Sequence, residues 1–249
     1  MGSLKLEVCH RLPELRPEAP LTGWVRVEHD DQCAVLLTPE IIDPERRYPL
    51  ITVLHGAGRQ DELLSKSYRN EAESRQALFL IPRSRHPTWD LIHEAQSAPT
   101  PGADARGTER TGSRQDLDFL EYAYDLIYRR YPIDAARQAL IGYSDGASYA
   151  LSVGISNPDL FRAVMAWAAG FVAVDAREVS ENDPRPAVLL EYGTHDELFP
   201  FERVAVPMRR GLEQMGCPVT FRVDEGGRHW PSGDFQPDAL DWFESLSEV

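Results

Sequence analysis

Residues 139–150 read Ala-Leu-Ile-Gly-Tyr-Ser-Asp-Gly-Ala-Ser-Tyr-Ala. The first three are an apolar run that suits a buried strand. Residues 142–146 form the pattern G-x-S-x-G, and a helix of small residues follows over about 147–156. A serine in this strand–turn–helix context sits on a sharp corner with strained backbone angles, its hydroxyl exposed beyond the end of the strand. Glycine two positions before and two after Ser144 keeps side chains out of the crowded turn. The chain holds no other G-x-S-x-G. Strand, corner and helix together decide both the fold class and the first candidate catalytic residue, Ser144.

Working outward, short β-rich runs alternate with longer helical patterns. Residues 50–54 (Leu-Ile-Thr-Val-Leu) are continuously apolar or β-branched, as a parallel strand covered on both faces would be. Residues 78–81, 164–168, 188–192 and 219–223 read as further strands, and 34–37 as another short one. Residues 4–8 alternate apolar and charged side chains, which predicts a half-exposed early strand. A helix is expected from Ser113, where Ser113-Arg114-Gln115-Asp116 resembles a capping box with Asp in the place of Glu. Its apolar face is Leu117, Leu120, Tyr124, Ile127 and Tyr131, and Pro132 ends it. Helices are also expected over 201–215 and 237–246. Residues 84–112, broken by Pro87, Pro99 and Pro101, are expected to be a long irregular loop and a partial lid. No repeat or linker divides the chain, so residues 1–249 are expected to form one domain. Its predicted architecture is α/β, a single doubly wound, mostly parallel sheet with helices on both faces.

A serine at its ordinary pKa is a weak nucleophile and needs a base. On this fold the partners follow in the order Ser, Asp or Glu, His. Two histidines lie beyond Ser144, His195 and His229. His229 falls in Gly226-Gly227-Arg228-His229-Trp230-Pro231, between the final strand and the final helix, where a loop can reach Ser144. His195 neighbours Asp196 at the end of a strand, where the acid is expected. The expected base is therefore His229 and the expected acid Asp196, with Glu197 as the competing carboxylate. The tetrahedral intermediate needs preorganised donors. The backbone N–H of Asp145, at the start of the helix, is one candidate. The second is the N–H of Ala57, in His55-Gly56-Ala57-Gly58 after an early strand, where glycines let the backbone approach a substrate closely. Trp89, Phe199, Phe171 and Trp230 are candidate substrate contacts.

Composition bounds the alternatives. With 26 basic and 40 acidic residues the net charge is −14. That argues against nucleic-acid binding, which needs clustered Lys and Arg, and Asp145 beside the serine disfavours an anionic substrate. The longest apolar run, residues 163–174, is too short to span a bilayer. Residues 1–7 lack the apolar stretch of a signal peptide. The three cysteines, Cys9, Cys33 and Cys217, show no metal-site or redox spacing. A cytoplasmic protein is the expectation.

On these residues the chain resembles the α/β-hydrolase superfamily over nearly its whole length. Within it, residues 142–153 look like the elbow and helix of bacterial phospholipase/carboxylesterase-type esterases, as does Ser84-Arg85 followed by Thr88-Trp89-Asp90. The Gly-Gly-x-His run before Trp-Pro is also similar to polyhydroxybutyrate depolymerases and feruloyl esterases. The resemblance implies a Ser144–Asp196–His229 triad, no metal and no organic cofactor. In that family a glycine usually precedes the histidine, whereas Arg228 stands there in this chain. The implied activity is hydrolysis of short- to medium-chain carboxylic esters through an acyl-enzyme. A thioesterase or serine peptidase would use the same triad, and a non-catalytic binding protein would use the same fold.

Overall fold

The computed structural model describes residues 3–8, 20–97, 114–174, 184–231 and 233–246. Among these the strands are β1 (Trp24–His29), β2 (Gln32–Leu37), β3 (Tyr48–Leu54), β4 (Leu78–Pro82), β5 (Ile133–Tyr143), β6 (Ala163–Trp167), β7 (Ala187–Gly193) and β8 (Val219–Asp224). The helices are α1 (Asp61–Ser67), α2 (Arg69–Ser74), α3 (Asp90–Ser97), α4 (Gln115–Arg130), α5 (Asp145–Ser156), α6 (Ala205–Gln214) and α7 (Phe235–Ser245). All eight strands join one sheet in the order β1-β2-β4-β3-β5-β6-β7-β8. The β1–β2 and β2–β4 pairings are antiparallel and the remaining five are parallel.

Burial explains the composition of the strands. Every residue of β3, β4 and β6 is buried, as parallel strands with helices on both faces require. Helix α5 is buried at eleven of its twelve positions, which accounts for its lack of charge beyond Asp145. The expected inner face of α4 is buried throughout, with Leu117, Leu120, Tyr124, Ile127 and Tyr131 each at most 1% exposed. The sheet also fixes where a site can form. From β3 the chain moves to β4 on one side, then crosses back to β5 on the other. The loops leaving β3 and β5 diverge there and open a crevice at the carboxyl ends of the strands.

Four expectations are corrected. Residues 4–8 form no strand. The carboxamide of Asn157 brackets this segment instead, accepting from the Leu6 N–H at 2.8 Å and donating to the Leu4 carbonyl at 2.9 Å. The region 84–112 is not uniformly irregular, because α3 forms within it; residues 98–113, which include most of the expected lid and the Ser113 cap, lie outside the described residues. Helix α4 starts at Gln115, and Asp116 turns its carboxylate toward other segments rather than capping. Strand β1 and helices α1 and α2 appear where the sequence had given no element. No helix among the described residues is long and apolar enough to cross a membrane.

Candidate active site

Ser144 links β5 to α5 with φ 53° and ψ −116°, a conformation an L-residue holds only when its surroundings enforce it. The flanking glycines are required sterically. A Cβ on Gly142 would lie 2.3 Å from the Gly146 carbonyl oxygen, and one on Gly146 would lie 2.2 Å from the Leu54 carbonyl oxygen. The corner therefore fits against itself and against the end of β3 only without those side chains. The Ser144 N–H donates to the Trp167 carbonyl at 2.8 Å, tying the corner to β6.

The loop after β7 supplies Asp196 and the loop after β8 supplies His229. The two loops pack backbone to backbone: the His195 N–H donates to the Gly227 carbonyl at 2.8 Å, and a Cβ on Gly193 would lie 2.2 Å from that same oxygen. His229 Nε2 stands 2.8 Å from Ser144 Oγ, and His229 Nδ1 stands 2.9 Å from Asp196 Oδ2. A carboxylate only accepts, so Nδ1–H donates to Asp196 and Nε2 accepts from the serine hydroxyl. The other Asp196 oxygen accepts the N–H groups of Leu198 and Phe199, both at 2.8 Å. The Trp167 indole N–H donates to the His229 carbonyl at 2.6 Å, and Phe199 meets the imidazole edge-on at 5.2 Å between ring centres. Ser144, His229 and Asp196 are 8%, 5% and 5% exposed. The three side chains thus form one continuous hydrogen-bonded line, oriented from both ends.

The competing residues are placed elsewhere. Glu197 is exposed and pairs with Arg228 at 3.4 Å. This contact also accommodates the arginine that stands before His229: its side chain points to solvent while the backbone delivers the imidazole inward. The His195 ring lies beside Gly226, outside the line. Ala57 follows β3, and a Cβ on its neighbour Gly56 would be 3.5 Å from Ser144 Cβ, so the two corners adjoin. Among the described residues, neither the Ala57 nor the Asp145 amide hydrogen is given to another backbone carbonyl or side chain.

Trp89 does not face the crevice. It is 1% exposed, donates its indole N–H to the His55 carbonyl at 2.9 Å and stacks between His55 and Tyr149. An interior ring at this spot supports the β3 loop from below, so the expected substrate contact is corrected to a packing role. Phe171 is likewise partly buried against the core. Trp230 is exposed beside His229.

Residues that the sequence did not single out complete the site's frame. His55 is fully buried; its Nδ1–H donates to the Gly56 carbonyl at 2.7 Å and its Nε2 accepts the Ser84 N–H at 3.1 Å. Burial lowers its pKa, so it serves as a neutral brace. Thr88 donates to the Asp145 carboxylate at 2.6 Å. Behind Thr88, Asp90 and Asp116 form a buried carboxylate pair, each accepting the other's backbone N–H. Burial first, and then the charge of Asp116, raises Asp90 to about 7. Asp116 is also raised, by burial. The cue for this pair was Asp116 two residues into a helix, which local reading explains equally well as helix-start chemistry.

A family model described as "Putative esterase" matches residues 26–207. The curated "Putative esterase NocK" of Nocardia uniformis subsp. tsuyamanensis is 31% identical over 160 residues, 64% of this chain and 43% of that protein. The chain therefore spans less than half the length of that relative. Among solved structures, S-formylglutathione hydrolase FrmB of Staphylococcus aureus is similar at a TM-score of 0.65 and 16% identity, over 92% of this chain and 99% of that one. A ferulic acid esterase of Anaeromyces mucronatus is similar at a TM-score of 0.58 and 17% identity, over 96% and 97% of the two chains.

Proposed function

The chain belongs to the esterase family, with the α/β-hydrolase fold, and on that premise we propose that it is a serine carboxylic-ester hydrolase in which Ser144 is the nucleophile, His229 the base and Asp196 the acid. The observation that carries this reading is the unbroken line from Ser144 Oγ to His229 at 2.8 Å and from His229 to Asp196 at 2.9 Å.

His229 Nε2 takes the hydroxyl proton as Oγ attacks the ester carbonyl. Asp196 holds the imidazole in the tautomer that leaves Nε2 free and stabilises the imidazolium that forms. The oxyanion is received by the N–H groups of Ala57 and Asp145, which adjoin Ser144 and point to no other acceptor among the described residues. Such donors are each worth about 10²–10³ in rate. His229 then gives its proton to the departing alcohol, and a water deprotonated by His229 releases the acid from the acyl-enzyme. Phe199 and Trp230, which flank the imidazole, border the substrate. Short- to medium-chain esters are the expected substrates. A cytoplasmic setting belongs to the same reading, supported by the free thiols Cys33 and Cys217.

The test is hydrolysis of p-nitrophenyl acetate together with labelling by a fluorophosphonate probe, for wild type and Ser144→Ala. Hydrolysis and labelling by wild type, both lost in the variant, are expected. Undiminished hydrolysis by the variant would remove Ser144 from the mechanism.

A further inference from the structure

A cavity of about 370 Å³, within the size range of small-molecule sites, is lined by the immediate chain neighbours of Ser144, Ala57 and His229. Its inner wall is Gly56 and Tyr143, the residues that precede the oxyanion candidate and the nucleophile. Its outer walls come from Leu63 and Leu64 of α1, from Trp230 directly after His229, and from Phe235 at the start of α7. No lining residue is charged. Of the polar side chains that border it, Gln60 donates to the Ala57 carbonyl, Ser67 to the Leu64 carbonyl at 3.0 Å and Gln236 to the Ser67 carbonyl at 3.2 Å. The Tyr143 hydroxyl pairs with that of Tyr68 at 2.7 Å, and Gln60 Oε1 is buried without a partner among the described residues. The wall facing an occupant is thus mostly hydrocarbon and aromatic.

The mouth of this cavity carries a second, independent signal. Leu63 is 67% exposed and Trp230 57% exposed, and both line the cavity, one from α1 and one from the loop after β8. Large apolar side chains held in water around an apolar hollow mark a ligand or partner site. A larger cavity, about 690 Å³, is lined by Arg137, Arg162 and Arg185. It lies at the amino ends of β5 and β6, the opposite end of these strands from Ser144.

We infer that the cavity between α1 and the His229 loop seats the apolar group of the ester, alkyl or aryl, and that Leu63 and Trp230 set the preference for it. This rests on the reading of the chain as an ester hydrolase acting through Ser144. Binding deepens as methylenes leave water, each worth about fourfold in affinity. An ester whose group on this side is charged and strongly hydrated gains nothing from these walls and loses its hydration.

Two substrate series distinguish the acyl from the alcohol half. One is p-nitrophenyl esters from acetate to octanoate; the other is acetate esters of alcohols from methanol to octanol. In one series kcat/KM rises by about fourfold per added methylene over the first few, and the rise flattens in Leu63→Asp and in Trp230→Ser. Both side chains are more than half exposed, so the variants keep their fold. Flat profiles in both series, or a rise that both variants retain, would overturn the inference.

A turnover-free measurement separates this from the catalytic reading. Hexanol is titrated into Ser144→Ala while the Trp230 indole N–H signal, assigned with Trp230→Phe, is followed by NMR. A saturating shift, weakened at least about fivefold by adding Leu63→Asp, is expected; no shift counts against the pocket. If that shift is seen while Ser144→Ala still hydrolyses esters, the catalytic reading falls and the pocket stands. If hydrolysis depends on Ser144 but the profiles are flat and the signal is still, the pocket falls and the catalytic reading stands.

Discussion

Asp196 and the Asp90–Asp116 pair are buried to the same degree, at 5%, 2% and 1% exposed, and both sites adjoin the corner that carries Ser144. Each is well supplied with donors. Asp196 accepts from two backbone N–H groups and from His229. Asp116 accepts from the Gln32 amide at 3.0 Å and from the backbone of Arg85 and Asp90, both at 2.8 Å. The difference lies in what else each carboxylate faces. Asp196 faces the His229 imidazole, which on the proposed mechanism becomes a cation when it takes the serine proton. Asp90 is pushed up to about 7 by burial first and then by the second carboxylate that it faces. Similar burial and similar hydrogen bonding therefore serve opposite ends. On the proposed mechanism one carboxylate complements a charge that appears during reaction, while the other two fasten residues 84–90 to α4.

The contrast breaks most visibly at the catalytic side. Ser144→Ala is expected to lower kcat by about 10⁴-fold or more, read with p-nitrophenyl acetate. Asp196→Asn keeps the shape but leaves His229 free to turn its tautomer, and kcat is expected to fall by about 10³–10⁴-fold with little change in melting temperature. The pair at the other site should show the reverse, an effect on stability and on its pH dependence. Asp90 holds its proton more tightly folded than unfolded, so the native state binds the extra proton between about pH 4 and pH 7. Its contribution to stability is therefore greatest at low pH and is lost as pH rises through that window. Asparagine stands in for the protonated carboxyl, so denaturant midpoints of wild type and Asp90→Asn should lie closest at the acid end, and wild type should fall relative to the variant as pH rises through that window. Parallel curves would exclude Asp90 as the titrating group. The mildest change is Thr88→Val, which removes the hydroxyl that anchors Asp145. A loss of about threefold in kcat is expected, with stability lowered by about 1 kcal/mol.

How much of this was legible in the sequence follows from how local each constraint is. The corner at Ser144 could be read because its glycines answer clashes at 2.2–2.3 Å within a few residues or with one neighbouring strand. His229 and Asp196 could be placed by chain order, since each follows a strand that the apolar pattern revealed. Strand β1 was harder: Trp24, Arg26, Glu28 and His29 are exposed and only Val25 and Val27 are buried, as suits an edge strand. Residues 4–8 show the opposite failure, an alternating pattern that meets a side-chain amide rather than a ladder. Trp89 reads equally well as a pocket wall or an interior ring, because its aromatic character does not say which side of the β3 loop it packs on. Asp116 was read through its own helix, whereas its partners lie 26 to 84 residues away.

The strand that delivers the base is unlike the strand that delivers the serine. The last six residues of β5 are all buried, whereas no residue of β8 is fully buried, and His229 lies 85 residues beyond Ser144. On the proposed reading, the nucleophile is therefore translated well before the strand and loop that carry its base. The proposed base reaches the serine only with β8 in place at the rim of the sheet. On heating, fraying of this rim strand is expected to displace His229 and so to break its contact with Ser144.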